Sequence, residues 1–253
     1  MSFPAAPLSA GRRRPAAPRA RAGAAALLAG LLALGLSTAH AAADGPSFDC
    51  KAARTKVEKA ICADPALAAL DRRIAAAYQK VMGALDADGK AALRADQRIF
   101  VEARDVQART EDYDLKADLD GRARLLEGVE TTPRAGFAGT WANVFGEVTV
   151  APAPGGGFKV EISTVQPHPS YPVCQLEATG ALSGAVLVVG GSEAERKEND
   201  GWTVRLTRTG ALLAAELERP KQADFASPPF CGFRATIDGS FLPMAPAPGK
   251  RAR

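Results

Sequence analysis

The sequence predicts an α+β protein in two segments: a small disulfide-tied helical bundle, then an antiparallel β meander closed as a small barrel or sandwich. Three observations predict it. Apolar residues recur at three- and four-residue spacing through residues 47–130, as on one face of a helix. From residue 131 to 245 the period changes to two, with β-branched residues alternating with polar ones between Gly- and Pro-rich turns. The chain has four cysteines, and two of them fall in each segment.

The first 41 residues stand apart from both segments. Arg12, Arg13, Arg14, Arg19 and Arg21 precede the apolar run "AGAAALLAGLLALGL", and small residues at Ala39 and Ala41 form an A-x-A site. That is the layout of a secretory signal peptide cut after Ala41. The alternative is an uncleaved N-terminal anchor, but a run of 15 residues falls short of the roughly 20 a membrane span needs. Five of the 32 Lys+Arg lie in this stretch and none of the 28 Asp+Glu, which leaves 27 basic against 28 acidic residues. The basic balance of the whole chain belongs to the export signal, so it implies no nucleic-acid partner. The predicted location is periplasmic or secreted, with no membrane span after cleavage.

In an exported chain, an even number of cysteines reads as disulfides. Cys50, Cys62, Cys174 and Cys231 allow three pairings, and the segment boundaries favour Cys50–Cys62 with Cys174–Cys231. Loop-closure entropy makes the short link worth roughly 3 kcal/mol and the long one roughly 4. Zinc is the weaker alternative, because no C-x-x-C occurs and His168 is the one histidine beyond the signal.

The helical segment opens on "TKVE", a capping box in which Thr55 caps and Glu58 reaches back. "ADP" then restarts the chain with Asp64 as N-cap and Pro65 at the first helical position. Leu67, Leu70, Ile74, Tyr78, Val81 and Leu85 line one face. "DADGK" is expected to break this helix, with the next starting near Lys90 and carrying Leu93, Gln97, Phe100 and Val101 on one side. A further break is expected near residues 109–111, with helix to about residue 127. Asp96, Arg98, Arg104 and Asp105 read as helix-surface or inter-helix ion pairs. In the second segment "TTPRAGFAG" reads as a linker. "EVTV", "FKVEIST", "AVLVV", "WTVRLTR", "LLAAELE" and "RATIDGSF" read as strands. The Pro-rich basic tail "PMAPAPGKRAR" reads as disordered, with residues 246–253 outside the β segment.

The stretch "FDCKAARTKVEKAICADPALAALDRRIAAAYQKVM", followed by "LRADQRIFVEARD", resembles the N-terminal domain of the LprI-type lysozyme-inhibitor family. The resemblance rests on Cys50, Thr55, Glu58, Ile61, Cys62, Asp64, Pro65, Leu67, Leu70, Asp71, Tyr78, Leu93, Gln97, Arg98, Arg104 and Asp105, in that order. It covers about residues 47–127. Many relatives carry further cysteines after the R-D pair, and "RDVQARTEDYDLKADL" has none. The resemblance implies inhibition of lysozyme, by binding it rather than by chemistry on it.

The residues themselves agree with that implication. With a single histidine outside the signal, few acid–base arrangements are available, and no G-x-S-x-G, P-loop or H-E-x-x-H occurs. No cofactor is predicted. Glu58, Asp64 and Asp71 are carboxylates better explained as caps than as a catalytic pair. Two stretches are candidates for contact with a partner. One is the acidic run Glu111, Asp112, Asp114, Asp118 and Asp120, suited to steering toward a basic partner, against a plain solvated helix face. The other is "PHPSYPVC", whose prolines pre-order His168, Ser170 and Tyr171 for insertion into a cleft, against an ordinary strand connection. The competing functional class is an accessory module that binds peptidoglycan or another envelope protein through its β segment.

Overall fold

The computed structural model describes residues 45–132, 134–167, 171–221 and 227–246. The stretch read as a signal peptide and the end of the tail lie outside these residues, as do His168 and Ser170. One 3-10 turn, Cys50–Ala52, leads into four helices: α1 (Lys56–Ala63), α2 (Pro65–Ala84), α3 (Ala87–Gln107) and α4 (Leu115–Glu127). Eight strands follow: β1 (Gly139–Asn143), β2 (Gly146–Pro152), β3 (Phe158–Val165), β4 (Val173–Ser183), β5 (Val186–Val189), β6 (Thr203–Thr209), β7 (Leu212–Glu218) and β8 (Gly239–Met244). A short helix, α5 (Glu193–Glu198), connects β5 to β6. Each strand pairs antiparallel with the next, and β8 returns to pair with β1, so the sheet is a closed barrel. Closure pairs the two strands that would otherwise be edges, β1 and β8, with each other.

The helix ends follow from local chemistry. Thr55 Oγ1 accepts from Glu58 N, and the Glu58 carboxylate accepts from Thr55 N, completing the capping box. Asp64 accepts from Ala66 N at the start of α2. The predicted break at "DADGK" is narrower than expected. It falls at Leu85 and Asp86, because Asp86 accepts from Gly89 N and thereby starts α3 three residues earlier. Asp88 then sits in the first turn, where the helix dipole favours a carboxylate. The third break matches expectation: α3 ends at Gln107, and Asp114 caps α4 by accepting from Ala117 N.

The helical core is built on Ile61, Ile74, Val81, Leu93, Phe100, Leu119 and Leu126. It does not close on itself. Leu212 of β7 and Leu242 of β8 are buried in the same cluster, with Val144, Ala211 and Met244 against its margin. One outer flank of the barrel therefore serves as the floor of the helical layer. Gly210, in the β6–β7 turn, has φ 57° and lies so close to Asp86 that an added Cβ would sit 2.4 Å from its carboxylate. A side chain at that turn would strain the backbone and displace the Asp86 carboxylate that caps α3.

The barrel interior is packed with side chains. Trp141, Val148, Val160, Ile162, Leu187, Leu206, Leu213 and Phe241 alternate inward and are fully or almost fully buried. Eight strands enclose a space that side chains of this size fill. Three strand expectations need correction. β4 was not anticipated, although its burial alternates through Val173–Ser183. Its inward positions Ala178 and Gly180 are small because a Cβ at Gly180 would already meet Leu187 and Val160 at 3.0–3.3 Å, and small residues weaken the apolar signal. β1 lies where the linker was expected to end, with only Thr140 and Trp141 as strand formers. "RATIDGSF" is a strand only from Gly239. Before it, Ala235 and Ile237 plug the barrel core from an unpaired segment.

The expected disordered tail also begins too early. Pro243 and Met244 belong to β8, where they pair with Trp141 and Thr140. The β7–β8 ladder stops at Phe241, so Pro243 lies past the last rung on that side and its missing N–H costs none there. Its carbonyl accepts from Glu130 N, which ties the end of the helical segment to barrel closure.

Cys50 pairs with Cys62, and Cys174 with Cys231. Cys50 is exposed, whereas Cys174 is fully buried in the barrel core. Thiolate attack needs access to a sulfur. Graded reduction followed by alkylation and peptide mass mapping should therefore label Cys50 and Cys62 before Cys174 and Cys231. Simultaneous labelling of all four would contradict this order.

Candidate interaction face

The helical layer and the barrel meet along a groove of about 410 Å³. Phe100 and Arg104 of α3, with Asp118, Arg122 and Leu125 of α4, form one wall. Val144, Val165, Gln166, Pro167 and Tyr171 form the other. The sequence candidates Asp118 and Tyr171 come from stretches more than fifty residues apart, and the fold brings both into this one groove.

The base of the groove is a buried polar cluster. Arg122 Nη1 donates to Asp96 Oδ2 at 2.6 Å, and Arg122 Nε donates to Gln97 Oε1 at 2.8 Å. The second Asp96 oxygen accepts from Val144 N at 2.6 Å. The Arg122 guanidinium lies over the Phe100 ring, 5.2 Å from its centre. Asp96 thus links α3 to α4 and both to the β1–β2 turn. Of the two expected forms, Asp96 takes the inter-helix one, with Arg122 as a partner the sequence does not single out, and Asp96 and Arg104 are both buried. Arg104 pairs with its neighbour Asp105 at 2.9 Å, and Arg98 is the exposed one, 3.8 Å from Glu102. The signal for Arg122 was present as a cation on the apolar side of α4, between Leu119 and Leu126.

The acidic run does not form one face. Asp114 is spent on the α4 cap. Asp120 pairs with Arg73 at 2.9 Å and with Arg124 at 3.3 Å, while Arg73 also takes Glu127 at 2.8 Å and so clamps α2 to α4. Asp118 is half-buried and accepts from Tyr113 Oη at 2.5 Å. Glu111 and Asp112 are exposed and form no ion pair among the described residues. Glu58, Asp64 and Asp71 have structural tasks too: the first two cap helices, and Asp71 accepts from Ser47 N and anchors the incoming chain.

Burial raises the Asp118 carboxyl above its ordinary value, against the opposing pull of the Tyr113 bond and of Arg104 and Arg122. A carboxyl whose folded-state pKa is raised holds more protons folded than unfolded, so stability falls as pH rises between the two values. Asp118→Asn should remove that component. Urea midpoints for wild type and variant, compared across the acid range, should diverge as pH rises, in the variant's favour. A constant difference would count against this.

The loop candidate is half visible. Tyr171 is 43 % exposed and adopts φ 48°, while His168 and Ser170 lie outside the described residues. Beside it runs the segment held by Cys174–Cys231, where Gly232 N donates to Val173 O at 2.8 Å and Gln175 N donates to Phe230 O at 2.8 Å. No motif in the residues around Cys231 singles out this second segment. Its neighbourhood is set by the disulfide and barrel closure.

The helices, the first disulfide and the Asp96 link to the β1–β2 turn all fall within one continuous stretch of chain, and a family comparison matches that stretch. Residues 50–146 match the family model described as Lysozyme inhibitor LprI. No curated protein and no solved structure is matched by the chain. The LprI-type region runs past the helices to Gly146 and so includes β1 and Val144, whose N–H the Asp96 carboxylate holds. The polar base of the groove is therefore internal to the LprI-type region, while Val165 and Tyr171 are added by the barrel. No helix among the described residues is long and apolar enough to cross a membrane.

Proposed function

We propose that the chain is an exported protein of the cell envelope that binds a lysozyme-type muramidase and blocks it by protein–protein contact. The observation that carries this reading is the LprI match over residues 50–146. Two disulfides accord with life in an oxidising compartment, and the N-terminal basic and apolar pattern supplies the route there. The contact face in this reading is the groove and its rim, with Asp118 and Tyr171 within it. Glu111 and Asp112, in the α3–α4 turn, add steering toward a basic partner.

The test is lysis of a cell-wall suspension by animal-type lysozyme in the presence of the oxidised chain. Dose-dependent inhibition is expected, with an on-rate that falls as salt rises. Charge reversal should be placed at Glu111 and Asp112, because reversal at Asp114 would also remove a helix cap. Absence of inhibition at large excess, together with salt-insensitive binding to isolated peptidoglycan, would replace this reading with that of an accessory envelope module. Sequencing the N-terminus of the exported chain should find Ala42 first.

A further inference from the structure

Three non-glycine residues adopt positive φ among those described: Tyr171 at 48°, Asp200 at 51° and Arg234 at 64°. Two of the three flank the same disulfide. Tyr171 precedes Cys174 by three residues and Arg234 follows Cys231 by three. For a bulky side chain this conformation costs on the order of 1 kcal/mol or more, and it persists where surrounding structure enforces it. The enforcing structure is visible: the disulfide, the Gly232–Val173 bond, and turns closed by Cys231 N to Pro228 O at 2.9 Å and Ala235 N to Gly232 O at 3.0 Å.

What this rigid tip presents is unusual for a protein surface. Phe233 is 77 % exposed, the most exposed large apolar side chain described, and Val173, whose carbonyl accepts from Gly232 N, is exposed together with its β3 partner Val165 and with Tyr171. The Arg234 guanidinium lies 5.2 Å from the centre of the Phe233 ring. Arg234 has no carboxylate partner among the described residues. Asp238, the nearest acid along the chain, is occupied by Leu217 N and by Thr236. An exposed aromatic and an unspent guanidinium on a pre-ordered support are the composition of a binding hot spot.

Resting on the inhibitor reading above, we propose that the tip formed by Tyr171, Val173, Phe233 and Arg234 is the part of the chain that enters the partner's substrate cleft. A glycosidase cleft carries two carboxylates flanking the scissile bond and surfaces shaped for sugar rings. Arg234 supplies the charge complementary to those carboxylates, and Phe233 supplies a flat apolar ring for a sugar subsite. A second copy of this chain is a poorer occupant, because a two-fold contact through this tip would bring Arg234 toward its own equivalent.

The experiment compares the full chain, exported and oxidised, as wild type, Phe233→Ala, Arg234→Gly and Leu182→Ala, in the lysozyme assay. Leu182 is another exposed apolar residue, near the far end of β4. Arg234→Gly suits the left-handed backbone, so its effect reports the guanidinium and not the fold. Phe233→Ala and Arg234→Gly should each weaken inhibition by about 30-fold or more, and Leu182→Ala by less than about 2-fold. A trimer of N-acetylglucosamine, which fills the cleft, should compete with wild type. Wild-type inhibition with both tip variants unchanged would overturn the tip and leave the inhibitor reading standing. Failure of the trimer to compete would place the contact outside the cleft and overturn the tip as well. Absence of wild-type inhibition would remove the inhibitor reading and the tip with it. Concentration-dependent dimerisation abolished by Phe233→Ala would assign the tip to a second copy instead.

Discussion

Asp96→Ala is expected to destabilise the folded chain by about 3–5 kcal/mol, the usual result of leaving one member of a buried ion pair without its partner. Arg122 is 3 % exposed, and Asp96 is the only carboxylate within ion-pair distance of it among the described residues. The substitution strands more than a charge. Val144 N, half-buried at the β1–β2 turn, loses its acceptor as well. Replacing both charged residues, as in Asp96→Leu with Arg122→Met, should recover most of the loss but not all, because Val144 still lacks an acceptor. Urea unfolding of the two single variants and the double variant measures this directly, and the cycle should show coupling well beyond the few tenths expected of independent sites. Additive effects would mean that the pair holds nothing jointly. Because Asp96 reaches from α3 to the β1–β2 turn, the Asp96→Ala variant should also unfold its helices before its barrel, seen as probe-dependent transitions.

Trp141→Ala should cost a similar amount, about 3–5 kcal/mol, from the cavity left by a fully buried ring. Here too the ring does several things at once. Its Nε1 donates to Phe137 O at 2.8 Å, which fixes the chain entering β1. Two guanidiniums lie over it, Arg134 at 4.8 Å and Arg208 at 4.4 Å from the ring centre. Arg208 Nε donates to Leu212 O at 3.0 Å, its Nη1 donates to Gly136 O, and its Nη2 donates to Arg134 O at 3.2 Å. Arg134 in turn pairs with Glu130 at 2.6 Å and donates to Met244 O at 2.5 Å. Burial, and then the neighbouring Arg134, depress the Arg208 pKa, so the site holds its second cation against resistance that the indole face offsets. Trp141→Phe keeps an aromatic face but loses the indole N–H, and should fall between wild type and alanine. Far-UV circular dichroism in urea is the appropriate readout, because the substitution removes one of the two tryptophans. A Trp141→Ala variant within about 1 kcal/mol of wild type would mean that the arginines close this end of the barrel without the ring.

Much of the helical segment was legible from the residues because its determinants are local. The capping box at Thr55 and Glu58, the Asp64–Pro65 restart and the apolar face through Leu67, Ile74 and Val81 each act within a few positions of chain. They would specify helices there in almost any surroundings. The acidic run was legible as composition, but its chemistry was not. Asp114, Asp118 and Asp120 acquire a cap, a tyrosine bond and an arginine clamp, and which carboxylates stay in water depends on where α2 and α4 lie.

The β segment shows the opposite dependence. Alternation marks β3 and β6, whose inward residues are large, but not β4, where Leu187 and Val160 from neighbouring strands demand small residues, nor the short β1. Pro243 read as tail because proline signals an unpaired chain, yet barrel closure places it where no partner on one side asks for its N–H. The Arg122–Asp96–Val144 link and the bond from Gly232 N to Val173 O beside one disulfide join residues distant along the chain. By itself, then, the sequence determined the helices, the strand-rich segment, an even set of cysteines and the LprI-type resemblance, because capping, periodicity and spacing are properties of neighbours in the chain. Only the tertiary structure decided the closed barrel, the groove between the two layers and the exposed tip, because these depend on which distant backbones pair and which charges are thereby taken out of water.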